Sequence, residues 1–175
     1  NSSISNGKNI FTLPIGIENL SIGINGLPNN LKVTNDWNSR STKVMVGPFS
    51  PTHTERKELV KVAEQETKVF EIIKGPLLPK RFAQEMNEYK FVACPRGNGI
   101  DTHRFWETLY RGSVPIVIAS KWSNSLKYLD LPLIEVSNWA EAGDAIKEFT
   151  DQSPPKLPSE IKSLWLPYWK KLLNH

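Results

Sequence analysis

From residue 43 onward, short runs of β-branched and aliphatic residues alternate with stretches whose apolar positions recur every three to four residues. The short runs read as strands buried on both faces, and the periodic stretches as amphipathic helices. The pattern predicts strands at 43–47, 68–73, 91–94, 114–118 and 133–136. Helices are expected from Thr54, then at 79–88, 102–111, 122–128, 139–149 and 159–173. Such regular alternation is the mark of βαβ units. The expected fold is therefore α/β: a doubly wound, Rossmann-like, mostly parallel sheet with helices on both faces.

Local signals agree with these elements. Leu59, Val62 and Ala63 form the inner stripe of the first helix, whose Lys57, Glu58, Lys61 and Glu64 face solvent. Phe82 and Met86 point inward from the second, which Pro79 begins, and Gly112 closes the third at a C′ position. Ala142, Ala145, Ile146 and Phe149 line the fifth. The last sets Ile161, Leu164, Trp165 and Trp169 against Lys162, Lys170 and Lys171, and Pro167 is expected to kink it. Three regions follow: a strand at 10–17 with a long loop over 1–42, a Rossmann-like core over 43–150, and a linker with a packed helix over 151–175.

Composition narrows the function classes. Apolar residues at 39% and charged residues at 23% suit a folded globular domain rather than a disordered chain. Lys and Arg outnumber Asp and Glu by 22 to 18, a mild preference for anions far below that of a dedicated nucleic-acid binder. Cys94, the single cysteine, excludes an intrachain disulfide and a cysteine-based metal cluster. No apolar run approaches the roughly 18 residues of a membrane span, and the first residues lack a signal-peptide pattern. A soluble, cytoplasmic domain is expected.

The candidate chemistry lies at 94–107, Cys-Pro-Arg-Gly-Asn-Gly-Ile-Asp-Thr-His-Arg-Phe-Trp-Glu, between a strand end and a helix start. Orphan amides and the helix dipole favour an anion there. Gly97 and Gly99 flank Asn98 and allow positive φ and close backbone approach, while Arg96 and Arg104 offer donor forks for a diphosphate. His103 and Glu107 share a face at i,i+4 spacing, and Glu107 is placed to accept hydrogen bonds from ribose hydroxyls. Asp101 completes the candidate substrate-binding set. Plainer readings stand beside these: a tight turn for the loop, a surface pair for Arg104 and Glu107, an N-cap for Asp101 or Thr102, a histidine without a partner for His103. Trp106, Leu109, Trp165 and Trp169 read as core or interface residues. The fingerprints of P-loop ATPases, dinucleotide binders, zincins and α/β-hydrolases are missing, as is an Asp-x-Asp pair, so no metal or cofactor is expected.

The stretch at 89–118 carries the order Phe, Pro-x-Gly-x-Gly, Arg-x-x-Glu-x-Leu, Gly-x-x-Pro-Ile and resembles the C-terminal region of exostosin-like glycosyltransferases. The resemblance implies one lobe of a GT-B fold that binds a UDP- or GDP-sugar without metal and serves transfer to the hydroxyl of a glycan or other acceptor. It makes Arg96 and Arg104 diphosphate ligands, Glu107 a ribose or donor ligand, and 97–99 part of the phosphate cradle. It names no catalytic base. The stretch at 10–18 resembles the hinge between the two lobes, and a second lobe or an oligomeric partner would supply the acceptor side. The alternative reading is a non-catalytic nucleotide- or anion-binding module; nucleic acid is not expected as a partner.

Overall fold

The structure, a computed structural model, describes residues 13–19, 21, 26–27, 30–150 and 154–173. Five strands, β1 (Ser41–Val46), β2 (Phe70–Ile72), β3 (Tyr89–Ala93), β4 (Val114–Ile118) and β5 (Ile134–Val136), form one sheet. Its order is β2-β1-β3-β4-β5 and every pairing is parallel. The connecting helices are α1 (Thr54–Gln65), α2 (Pro79–Met86), α3 (His103–Tyr110), α4 (Lys121–Ser125) and α5 (Ala142–Thr150), with α6 (Leu166–Leu173) last. No helix among the described residues is long and apolar enough to cross a membrane.

The two-residue period of the strands sorts the core into two layers. Val44, Val46, Phe91, Ala93 and Ile116 face α1 and α5, packing on Leu59, Ala63, Ala142 and Ile146. Met45, Val92 and Val117 face the opposite way, onto Phe82 and Met86 of α2, Phe105, Trp106 and Leu109 of α3, and Trp169 of α6. Helices therefore cover both faces, as expected of a doubly wound Rossmann-like sheet. Pro115 precedes the β5 pairing, which starts at Ile116, so its missing N–H falls outside that ladder.

Two expectations change. The C-terminal segment is not one kinked helix: two 3-10 turns, Pro158–Glu160 and Lys162–Leu164, precede α6. Pro167 is the second residue of α6, where an N–H is unpaired anyway, so it begins the helix instead of bending it. Of the strand expected at 10–17, residues 13–17 form no strand, and 10–12 lie outside the described residues.

At the amino end of the sheet, Arg40 is buried and fully engaged. Its guanidinium donates to Asn35 O, to Arg111 O (3.1 Å) and to Ser113 Oγ (2.9 Å). Ser113 Oγ in turn donates to Tyr89 O, so the residues before β1 are tied to the starts of β3 and β4. At the opposite end, the loops after β1 and β2 touch. A Cβ on Gly75 would lie 2.4 Å from Pro48 Cβ. Gly75→Ala must displace a rigid ring, and we expect a loss of about 1–3 kcal/mol in chemical denaturation. An unchanged midpoint would contradict this contact.

Candidate functional site

The strand order reverses direction at β1, since β2 lies on one side of it and β3 on the other. A crevice opens at such a switch point beyond the carboxyl ends of the two central strands. Here it is a cleft of about 570 Å³, a size suited to a small organic ligand. Pro48, Phe49 and Ser50 after β1, Leu77, Pro79 and Phe82 around α2, and the β3–α3 loop line it. Residues following β4 do not.

Of the sequence-predicted residues, Gly97, Asn98, Gly99, Asp101, His103, Arg104 and Glu107 meet in this cleft. Arg96 is not among its lining residues. Its N–H donates to Glu55 Oε1 (3.2 Å), its carbonyl accepts from Arg56 Nε (3.0 Å), and its own Nε is buried without an acceptor. The amide just before the expected cradle is thus occupied by Glu55, and one within it, Gly97 N–H, donates to Gly99 O. Neither Gly97 nor Gly99 adopts positive φ. A Cβ on Gly97 would come within 2.6 Å of Arg56 Nη2, so glycine there makes room for a guanidinium.

Arg56 is the residue that reading along the sequence passes over. From the first turn of α1 it donates to Arg96 O and Ser50 O (2.7 Å) and stacks on Phe49, joining the loops after β3 and β1. His53 caps the same helix, its Nδ1 accepting from Glu55 N–H. Across the cleft, Arg104 donates to Pro48 O (3.0 Å) and Gly47 O (3.5 Å) and lies 4.3 Å over the Phe82 ring. Gly47 turns the chain there at φ +75. Burial pushes the Arg104 guanidinium down from its usual pKa, and the nearby Arg56 adds to that push against Cys94 and Glu107. Arginine nonetheless stays charged. Among the described residues, neither guanidinium has a carboxylate within ion-pair distance; Glu107 acts on Arg104 and Glu55 on Arg56 only from further away.

Glu107, one turn along α3, is 4% exposed and lines the cleft. Among the described residues it makes no hydrogen bond or ion pair. Burial raises its pKa, with Arg104 and Arg111 opposing. Asp101 and His103 are spoken for: Asp101 accepts from Ile15 N–H (2.8 Å) and from the Trp106 indole (2.7 Å), and His103 Nδ1 donates to Gly16 O (2.8 Å). Asp101 is therefore not the N-cap of α3. Thr102 holds that position, without a side-chain hydrogen bond. Cys94 is buried against Thr108 with its thiol pushed up to about 12, which removes it as a nucleophile at neutral pH. Trp106, Leu109 and Trp169 are core residues, whereas Trp165 is half exposed. The chain matches no family model and no curated relative.

Proposed function

We propose that the domain binds a nucleoside-diphosphate sugar in this cleft and acts as the donor-binding part of a metal-independent glycosyltransferase of exostosin-like type. The observation that carries the reading is the juxtaposition of two guanidiniums without an ion-pair partner among the described residues, Arg56 and Arg104, with a buried carboxylate that makes no hydrogen bond or ion pair among them, Glu107. Unpaired cations call for an anion, and an acceptor-only carboxylate calls for O–H or N–H donors on the same ligand. A diphosphate joined to a ribose supplies both. The adjoining hollow lined by Val60, Ile72 and Ile73 shares Pro48, Phe49, Ser50 and Leu77 with the cleft and offers an apolar bed for the base.

As the glycosidic bond breaks, negative charge builds on the leaving diphosphate. Arginines already held against Ser50 O and Pro48 O need not reorganise to meet it, so they stabilise the transition state more than the ground state. The first-turn amides of α3 add the positive end of a helix dipole. The product would be a sugar linked to an acceptor hydroxyl.

Calorimetric titration with UDP, GDP, UDP-glucose and GDP-mannose tests the reading. Arg56→Ala is expected to weaken binding roughly tenfold or more, the loss of one charge-assisted contact. Arg96→Ala is expected to leave affinity within about twofold, because its side chain stands outside the cleft. Equal losses in the two variants would contradict this assignment, and no binding to the folded parent would defeat the nucleotide reading. Binding without donor hydrolysis or transfer would leave the non-catalytic module.

A further inference from the structure

The segment at 13–19 crosses the cleft and contributes Ile15 and Glu18 to its wall. It is latched at two adjacent points of the chain, Ile15 N–H on Asp101 Oδ2 and Gly16 O on His103 Nδ1, each at 2.8 Å. The latch is itself rigid, because Asp101 Oδ1 is held by the Trp106 indole in the core. Gly16, in the left-handed region at φ +69, turns the chain between latch and Glu18.

The cleft holds charges of both signs. Arg56 and Arg104 are both fastened to the loop after β1, at carbonyls of Ser50, Pro48 and Gly47. Glu18 and Glu107 sit close enough that Glu18 opposes the ionisation of Glu107. Among the described residues, neither carboxylate has a hydrogen-bond or ion-pair partner. An anionic group is opposed by this pair and drawn to the arginines, of which Arg104 is also the largest charge favouring the ionised form of Glu107. A group carrying several O–H donors on one frame satisfies both carboxylates at once. We infer that Glu18 is a ligand-binding residue that, with Glu107, accepts hydrogen bonds from the hydroxyls of a sugar ring whose phosphates lie against Arg56 and Arg104. This rests on the function proposed above and extends it to the strap, which becomes the fourth wall of the site.

The test compares inorganic pyrophosphate with UDP-glucose and GDP-mannose, titrated into the parent and Glu18→Gln proteins, with thermal unfolding as a control for the fold. Pyrophosphate has no hydroxyl frame, so its affinity is expected to stay the same or tighten slightly as a repelling charge is removed. The better-bound nucleotide sugar is expected to weaken roughly tenfold or more, as for loss of a hydrogen bond to a charged group. Unchanged nucleotide-sugar affinity in the variant overturns the role of Glu18 while leaving the donor-site reading intact. Equal losses for pyrophosphate and nucleotide sugar also overturn it, because Glu18 would then act only by holding the strap. A parent that binds neither probe sinks both readings together.

Discussion

Replacing Arg104 by alanine is expected to weaken nucleoside-diphosphate binding by about a hundredfold or more and to lower stability by roughly 3 kcal/mol. Both effects come from one side chain with two kinds of neighbour. Toward the protein it satisfies Gly47 O and Pro48 O and covers the Phe82 ring, so its removal leaves two carbonyls without a donor and an apolar face without a cover. Toward the cleft it supplies one of two positive charges and eases the burial of Glu107. Arg104→Lys keeps the charge but cannot span two carbonyls and an aromatic ring with a planar fork, so it should recover little of either property. Denaturant unfolding and calorimetry on the same preparations read the two losses. Affinity within twofold of the parent would remove Arg104 from the ligand site.

Arg40→Ala is expected to cost roughly 3–5 kcal/mol of stability, a large part of what a domain of this size holds, while leaving the affinity of the folded protein unchanged. Two buried acceptors, Arg111 O and Ser113 Oγ, and the part-buried Asn35 O lose their donor together. Their loss detaches the residues before β1 from the starts of β3 and β4. The cleft stands at the carboxyl ends of the strands, and Arg40 immediately precedes β1 at the amino end, so the two functions separate along the strand direction. A midpoint shift under 1 kcal/mol, or a fall in affinity at temperatures where the variant is folded, would contradict this division.

The central strands β3 and β4 are readable because each is a largely apolar, largely buried run of five residues; the edge strands β2 and β5 are three residues long and carry Glu71 and Glu135, so their ends are less sharply marked. The C-terminal segment was harder. Ile161 and Leu164 recur at a spacing that suits an α-helix and a 3-10 turn alike, and only the positions of Pro158 and Pro167 separate the two. In the cleft, the loop at 97–99 and the α3 residues were found because strand, glycines and helix start are contiguous in the chain. Arg56 was not, because it lies 40 residues before its partner Arg96 O and sits in the run Glu55-Arg56-Lys57-Glu58, which resembles a solvated face. The available signal was its place in the first turn of a helix that follows a strand's carboxyl end. Arg96 falls outside the lining of the cleft for the opposite reason: adjacency to a glycine loop does not fix the side of the loop on which a side chain lies. The strap at 13–19 could not be placed, since its two latches join residues separated by more than eighty positions.

Glu107 carries the central claim, and Glu107→Gln tests it with two readings of opposite sign. Burial raises its pKa above the ordinary carboxylate value, so the folded protein holds this proton more tightly than the unfolded chain does. Stability therefore falls as pH rises from the unfolded value through the folded one, the cost of ionising a buried carboxyl. Glutamine removes that charge at nearly the same volume. The measurement is thermal unfolding of the unliganded parent and Glu107→Gln proteins across pH, followed by titration with the best-bound nucleotide sugar. The variant is expected to be more stable at neutral pH by about 1 kcal/mol, equal to the parent below the unfolded glutamate pKa, and weaker in binding by tenfold or more. A variant that is less stable at neutral pH and binds as the parent does would mean that Glu107 serves the fold and that the cleft is not built around it.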